Sequence, residues 1–264
     1  MSPMQPVCLI TGASAGIGSA LARVFAHNRH ALVLTARRTP QLDALADEIA
    51  AAGLPRPHVI AADLSRPDGP LLLAEAMRAA GLEPSIVVNN AGFGLLGEAA
   101  DLDRDRQLAM IDLNIRALTD LSLRWLESIT RHRGGILNVA SIAGFLPGPG
   151  MAVYHATKAY VVSFSEALHE EFKADGVRVC ALCPGPVDTE FLDRAGVPPD
   201  YFPAFLNRSA ERVARQGYDG FMGGHRVVVP GKPNRILTLL PRLLPRGLML
   251  AMTQWRWNRA KHRG

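Results

Sequence analysis

The chain has 264 residues, which is long enough for one large α/β domain and short for two independent ones. Hydrophobic residues make up 48% and charged residues 20%, an ordinary globular composition that argues against a disordered chain. The net charge of +5 comes from residues 221–264, which contain no Asp or Glu, while the rest of the chain is slightly acidic; we therefore expect no nucleic-acid binding.

The three cysteines, Cys8, Cys180 and Cys183, are too few and too odd in number for a disulfide framework. Cys180 and Cys183 lie in an apolar run that is typical of a buried strand, where residues three apart point to opposite faces. Without a second pair of ligands, the sequence predicts no metal site. We find no apolar core of a signal peptide and no charge-free run of about 20 residues, so we expect a soluble, cytoplasmic protein in a reducing compartment.

Apolar runs of strand length alternate with helical patterns along the whole chain. The predicted strands are 7–11, 31–35, 58–62, 85–89, 135–140, 177–183 and 226–229. The predicted helices are 16–28, 41–52, 71–80, 104–130 and 152–173. Nearly continuous apolar strands alternating with helices predict a doubly wound Rossmann fold, with a seven-stranded, mostly parallel sheet and helices on both faces. Its ligand crevice should lie at the carboxyl ends of the strands.

A glycine-rich turn follows the first predicted strand. Gly12, Gly16 and Gly18 are spaced Gly-x3-Gly-x-Gly, and the helix predicted over 16–28 begins at the second of them. Glycines permit a tight turn and a close approach of the backbone to a pyrophosphate, whose charge suits a helix N-terminus. The position of the turn in the alternating pattern indicates a dinucleotide site.

The second predicted strand ends without the carboxylate that binds the ribose hydroxyls of NAD. Arg37 and Arg38 stand there instead. An arginine can bind a 2′-phosphate, and the missing carboxylate removes a repulsion against it. For each arginine the alternative of a solvated side chain at a helix start stays open. The pattern favours NADP(H) over NAD(H).

Polar residues also follow the third and fourth strands. Asp63 either accepts a hydrogen bond from the adenine amino group, with Leu64 beside the ring, or caps a turn. Asn90 either fixes its loop or contacts a ribose, and Gly92 lets the backbone pass the cofactor.

Tyr154 and Lys158 are four residues apart near the start of a predicted helix, which places both side chains on one face. A neighbouring ammonium lowers the pKa of a phenol, so Tyr154 can exchange a proton with a substrate oxygen while a hydride moves to or from a nicotinamide. Ser141, at the end of the fifth strand, can hold the same oxygen. Asn114, within the predicted long helix, can anchor a water that links Lys158 to solvent.

Taken in order, these residues resemble the short-chain dehydrogenase/reductase family over residues 7–230. The matching residues are Thr11 to Gly18, Asp63, Asn89 to Gly92, Asn114, Ser141, Tyr154, Lys158 and Pro184 to Thr189. The resemblance implies a catalytic tetrad of Asn114, Ser141, Tyr154 and Lys158. It implies a cofactor site of Gly12, Ser14, Gly16, Ile17, Gly18, Arg37, Asp63, Leu64, Asn90, Ala91, Gly92, Tyr154, Lys158, Pro184, Gly185, Val187 and Thr189.

Within that site the resemblance implies that Val187 and Thr189 contact the nicotinamide end of the cofactor and that Lys158 contacts its ribose. Ser14 and Arg37 stand where NADP-preferring members meet the 2′-phosphate. Position 15 is Ala where many such members have Arg or Lys, so the preference depends mainly on Arg37.

The remaining segments concern the substrate and the partners. We predict one catalytic domain over 1–230, with a substrate lid at 190–208, and an extension over 231–264. The aromatic side chains of the lid either favour a hydrophobic alcohol or ketone or simply cover the core. The extension either rests on anionic lipid or packs over its own or a partner's body, and Pro241 and Pro245 favour packing. The resemblance implies a homodimer or homotetramer. A non-catalytic NADP(H)-binding redox sensor is the alternative function.

Overall fold

The computed structural model describes residues 4–198 and 200–261, and all their side chains except those of Arg242 and Ala260. The strands are β1 (Gln5–Thr11), β2 (Leu32–Thr35), β3 (His58–Val59), β4 (Leu82–Asn89), β5 (Gly135–Val139), β6 (Arg178–Leu182) and β7 (Val227–Val228). They form one sheet in the order β3-β2-β1-β4-β5-β6-β7, and all neighbouring pairs are parallel. The predicted doubly wound fold is confirmed.

Helices connect the strands and cover both faces of the sheet. They are α1 (Gly16–His27), α2 (Thr39–Ala51), α3 (Gly69–Ala79), α4 (Arg104–Ile111), α5 (Leu118–Arg124), α6 (Leu126–Arg131), α7 (Ala152–Phe172), α8 (Glu190–Arg194), α9 (Ala210–Met222), α10 (Lys232–Leu243) and α11 (Arg246–Lys261). Four of the five helices that the sequence predicts appear within two residues of their predicted bounds. The exception is the long helix predicted over 104–130.

The structure divides that region into three α-helices and a π-helical segment. The π-helical turn spans Asp112–Ala117 between α4 and α5. The helix is interrupted again at Trp125, before α6 begins. A π-helical turn differs from an α-helical one in its i→i+5 hydrogen bonds, which apolar spacing over a short stretch does not distinguish. The prediction of one continuous helix was therefore wrong in detail.

Side chains of the central strands alternate between two apolar cores. Cys8 and Ile10 of β1 face the core formed with α1 and α9, where Phe25 and Phe221 are fully buried. Val7 and Leu9 face the opposite core. The same alternation places Cys180 in the first core and Cys183 in a smaller cluster with helix α7. All three cysteines are free and buried.

A buried chain of amides and hydroxyls links the central strands to two helices. Asn89 Nδ2 donates to Asn138 Oδ1 at 2.9 Å and to Ser122 Oγ at 3.0 Å, and Asn138 Nδ2 donates to Ser165 Oγ at 2.9 Å. These side chains belong to β4, β5, α5 and α7. Because buried polar groups are costly unless they are paired, the network fixes the register of the elements that carry the site.

The C-terminal extension forms two helices that pack on the body of the same chain. Pro245 separates α10 from α11, whereas Pro241 lies inside α10. Trp257 of α11 is 8% exposed and lies against Gly150, and Lys261 Nζ is 2.7 Å from Glu98 Oε1. Among the described helices, none has the length and apolar character that crossing a bilayer requires.

Candidate active site

The glycine-rich turn packs tightly against the end of β4. Gly12 and Gly16 have φ angles of +65° and +58°, which favour glycine. A Cβ on Gly18 would lie 2.3 Å from the carbonyl oxygen of Gly12, so only glycine fits there. Asn90 Nδ2 donates to the carbonyl oxygen of Thr11 at 2.9 Å, which corresponds to the loop-fixing role of this side chain. The turn thus presents its backbone to the crevice.

The two arginines after β2 take different positions. Arg37 is exposed, whereas Arg38 is half-buried. Arg38 Nη2 donates to Ser14 Oγ at 3.2 Å and lies 3.1 Å from Glu190 Oε2 of α8. Both arginines line the crevice. The sequence singled out Arg37 and missed Glu190, because only the fold brings α8 beside β2.

The side chain of Asp63 caps a turn that it forms with Ser65. Its Oδ1 accepts hydrogen bonds from the Ser65 backbone N–H at 3.1 Å and from Ser65 Oγ at 2.6 Å. This geometry is the turn-capping alternative of the sequence analysis. Asp63 and the buried Leu64 also line the crevice, so the turn does not remove them from a ligand site.

Tyr154 and Lys158 lie one turn apart on α7, and both are buried. Lys158 Nζ donates to the carbonyl oxygen of Val139 at 2.8 Å and lies 5.8 Å from the centre of the Tyr154 ring. Burial lowers the pKa of Lys158 to about 8, because the ammonium loses its water. Burial raises the pKa of Tyr154 to about 12 for the corresponding reason, and its hydrogen bond with Ser141 works in the opposite direction.

Ser141 begins a short 3₁₀ turn after β5. Its backbone is extended, and its Oγ accepts a hydrogen bond from the Ala143 N–H at 3.1 Å. The same hydroxyl bonds to Tyr154. Ser141 and Tyr154 therefore present two hydroxyl groups to the same part of the crevice.

Asn114 lies in the π-helical segment and is 1% exposed. Its Nδ2 donates to the carbonyl oxygen of Phe93 at 3.0 Å and to Thr157 Oγ1 at 3.1 Å, while its Oδ1 accepts from the Phe93 N–H at 3.1 Å. Asn114 thus ties the loop after β4 to α7. Thr157 was missed, since no local sequence signal connects it to Asn114. The predicted water-anchoring role of Asn114 stays a prediction.

These residues surround one cavity of about 830 Å³, within the usual range of ligand sites. The predicted site residues that line it are Gly12, Ser14, Gly16, Ile17, Arg37, Asp63, Leu64, Asn90, Ala91, Gly92, Ser141, Tyr154, Lys158, Pro184, Gly185, Val187 and Thr189. Gly18 and Asn114 do not line the cavity. Both lie behind its wall and support residues that do.

The far wall of the cavity comes from the predicted lid and the C-terminal extension. Phe191 of α8 packs on Tyr154, with ring centres 5.6 Å apart. The side chains from the two last helices that line the cavity are Leu237, Leu240, Met249, Met252, Thr253 and Arg256. The apolar content of the extension was visible in the sequence, but its contact with the cavity was not. This wall of the cavity is therefore largely apolar.

The chain is similar to known oxidoreductases. Residues 6–197 match the family model described as short chain dehydrogenase. The sulfoacetaldehyde reductase of Chromohalobacter salexigens is 38% identical over 197 residues, which cover 73% of this chain and 77% of that protein.

Two solved structures share the fold over most of the chain. A short-chain dehydrogenase from Sphingobium yanoikuyae in complex with NADPH is 33% identical with a TM-score of 0.79, covering 93% of this chain and 95% of that chain. The bulky-bulky ketone specific alcohol dehydrogenase from Comamonas testosteroni is 29% identical with a TM-score of 0.73, covering 86% of both chains.

Proposed function

The chain belongs to the short-chain dehydrogenase/reductase family of oxidoreductases, and on this premise we propose that it interconverts a hydrophobic ketone or aldehyde and the corresponding alcohol with NADP(H). The observation that carries the proposal is the buried pair of Tyr154 and Lys158, beside Ser141, in one cavity with the glycine-rich turn. The apolar far wall favours a hydrophobic substrate, and a relative of this chain is described as specific for bulky ketones.

The residues around the cavity fit a nicotinamide dinucleotide. The backbone of Gly12 and Gly16 leaves room for a pyrophosphate at the start of α1, where the helix dipole favours an anion. Val187 and Thr189 would meet the nicotinamide end, and Lys158 the ribose. When bound, the cofactor supplies or accepts the hydride. The other steps belong to side chains of this chain.

Tyr154 is the proposed general acid and base. In carbonyl reduction its hydroxyl donates a proton to the substrate oxygen, and in alcohol oxidation its phenolate accepts that proton. The raised pKa of Tyr154 keeps the phenol protonated at neutral pH, which suits the reductive direction. The Lys158 ammonium stabilises the phenolate that forms, and Ser141 donates a hydrogen bond to the same substrate oxygen.

The preference for NADP(H) over NAD(H) is the finer part of the proposal. Arg37 and Arg38 both line the cavity, and Arg38 already donates to Ser14. We expect the guanidinium groups to bind the 2′-phosphate by charge-assisted hydrogen bonds. The NADPH bound to the Sphingobium relative is consistent with this preference.

The decisive experiment is NADPH oxidation by purified protein against ketones, steroids, retinals, 3-oxoacyl thioesters and small aldehydes, with Tyr154→Phe as the control. We expect turnover with one hydrophobic class and a loss of about 100- to 10,000-fold in the variant, because proton transfer contributes that much. Cofactor affinity should change only slightly. Retained turnover in Tyr154→Phe would show that another group is the acid.

The alternative function is an NADP(H)-binding redox sensor that performs no turnover. A sensor has no need of the buried Tyr154 and Lys158, and burial of the lysine destabilises the fold. We therefore favour the enzyme. Tight NADPH binding, with no turnover of any carbonyl compound across the panel, would favour the sensor.

For the partners, we propose a cytoplasmic homodimer or homotetramer whose extension can also touch a lipid surface. The outer face of the extension, defined by Ile236, Leu239, Leu243, Leu248 and Trp255, is apolar and exposed, with Leu243 78% and Trp255 61% exposed. Trp and basic residues are favoured at anionic lipid surfaces. Sedimentation velocity would give the oligomeric state, and vesicle binding would test the lipid contact.

A further inference from the structure

Arg256 is the charged side chain that α11 contributes to the apolar wall of the cavity. It lies on the inner face of the helix, in line with Met249 and Thr253, and is half-buried. The neighbouring wall consists of Leu237, Leu240, Met249 and Met252. A guanidinium in such surroundings has lost part of its water and requires compensation from other groups.

Two aromatic rings of the predicted lid hold the guanidinium. Its central carbon lies 5.2 Å from the centre of the Tyr201 ring and 5.1 Å from that of Phe202. Arg256 Nη2 also donates to the carbonyl oxygen of Tyr201 at 2.6 Å. These contacts fix the position of the planar group, while a guanidinium has five N–H donors and can form further hydrogen bonds.

The other arginines of the cavity differ from Arg256 in their surroundings. Arg38 and Arg194 both pair with Glu190, and Arg37 and Arg106 are exposed to solvent. In the part of the chain that the structure describes, no Asp or Glu forms an ion pair with Arg256. Burial lowers the pKa of Arg256, and the Tyr201 phenol acts in the opposite direction. Among the described residues, no carboxylate therefore balances this charge inside the cavity.

We propose that Arg256 binds a carboxylate of the substrate, so that the substrate is an apolar oxo acid or hydroxy acid rather than a neutral ketone or alcohol. The carboxylate supplies the missing counterion, and Arg–carboxylate pairs form two parallel hydrogen bonds. The apolar side chains around Arg256 contact the hydrocarbon part. This inference rests on the proposed function, since it assigns the substrate class of the same cavity.

The test compares ω-oxo fatty acids of eight, ten and twelve carbons with their methyl esters, as substrates for NADPH-dependent reduction. The wild-type protein should prefer the acid. In Arg256→Gln, kcat/KM for the acid should fall about 10- to 100-fold more than that for the ester, because one charge-assisted interaction is lost. Arg259→Gln is the matched control, since Arg259 lies on the same helix, exposed and stacked on Trp255. Its acid-to-ester ratio should stay at the wild-type value.

The alternative is that Arg256 only stabilises the contact between α11 and the lid and does not bind the substrate. In that case Arg256→Gln would lower kcat/KM for acid and ester equally, which would overturn the proposal. Arg256→Lys, which keeps the charge, should restore part of the preference for the acid.

A second measurement needs no turnover and separates this inference from the proposed function. Decanoate and decan-1-ol are titrated into the protein by calorimetry. The carboxylate should bind more tightly to the wild-type protein, and Arg256→Gln should remove that difference. Equal binding of the two probes to the wild-type protein would overturn the carboxylate site. If decanoate binding depends on Arg256 and no carbonyl compound is reduced, the site stands and the proposed activity falls.

Discussion

Lys158 shows at the residue scale how the site opposes the stability of the fold. The residue is 5% exposed, and its ammonium donates a hydrogen bond to the carbonyl oxygen of Val139. Burial lowers its pKa from the ordinary value of 10.5 to about 8. Below pH 8 the group is charged in both the folded and the unfolded chain, so folding must remove water from a charge. As the pH rises from about 8 to 10.5, this free-energy cost disappears, so the stability of the folded protein increases.

We therefore predict that Lys158→Met is more stable than the wild-type protein at pH 7, by about 1–2 kcal/mol, although it loses activity. The net gain is smaller than the pKa shift alone implies, because the Val139 carbonyl loses its donor. Urea denaturation of both proteins at pH 7 and pH 10.5 measures the effect, and the difference should shrink at the higher pH. A variant less stable than wild type at pH 7 would contradict the prediction.

The two arginines after β2 give a second prediction at this scale. Arg37→Ala and Arg38→Ala should each weaken NADPH binding about 10-fold, while NADH affinity changes by less than about 3-fold, because only NADPH carries the 2′-phosphate. Fluorescence titration of both cofactors measures the four affinities. Equal losses for NADPH and NADH in one variant would show that its arginine is not a phosphate ligand. Arg38 also pairs with Glu190, so its replacement additionally frees α8.

At the scale of elements, four of the eleven described α-helices, α1, α2, α3 and α7, follow the bounds predicted from their apolar periodicity. The sequence predicted one long helix in place of α4 to α6, and it did not predict α8 to α11. It could not predict the π-helical turn at Asp112–Ala117, because a short change from i→i+4 to i→i+5 hydrogen bonds has no specific residue signal. That turn positions Asn114 against the loop after β4. The sequence pointed to Asn114 through its place in the long predicted helix and through the family resemblance. It gave no signal for the partner of Asn114, Thr157. Local patterns predict elements, whereas side-chain partners depend on the packed fold.

The attachment of α11 depends on one glycine, and this gives an element-scale prediction. Gly150 has a φ angle of +79°, and a Cβ there would lie 2.3 Å from the Trp257 ring. Gly150→Ala should displace α11 from the cavity and raise KM for large apolar ketones about 10-fold, with a smaller effect on small aldehydes.

Gly53→Ala is the matched control for this substitution. Gly53 has a similar φ angle of +76°, and a Cβ there would meet nothing within 4 Å. It carries the same backbone strain of about 1 kcal/mol without the clash. Similar KM values for large ketones in both alanine variants would mean that α11 does not shape the substrate site.

On the scale of the whole molecule, the cavity joins segments that lie far apart in the sequence. The doubly wound order brings the ends of β1, β2, β4, β5 and β6 to one edge, which the alternating pattern predicts. The contribution of α10 and α11 to the far wall of the cavity was not predictable, because an amphipathic helix can pack on several surfaces equally well. Asn234 of α10 even packs against Gly185 of the cofactor motif. The domain boundary at residue 230 stays a prediction. Side chains of the extension line the same cavity as side chains from residues 1–230.

The outer face of the extension leads to the last prediction. Between Phe221 and Lys261 the chain has basic side chains and no acidic ones, so two copies joined through this face about a twofold axis would oppose like charges. An anionic bilayer instead complements both the charge and the apolar side chains. The protein should therefore co-sediment with vesicles that contain phosphatidylglycerol, less so at high salt, and weakly with pure phosphatidylcholine.

Leu243→Glu and Trp255→Glu should each reduce the bound fraction severalfold, because they place a carboxylate on that face. Leu72→Glu is the matched control, since Leu72 is 51% exposed on α3, away from the extension. Equal vesicle binding by all three variants would contradict a lipid contact through the outer face. The other outcome is that the wild-type protein binds no vesicles and that Trp255→Glu changes a dimer into a monomer in sedimentation velocity. In that case the outer face is a subunit interface, and the arginines of the extension must meet acidic residues from another part of the partner.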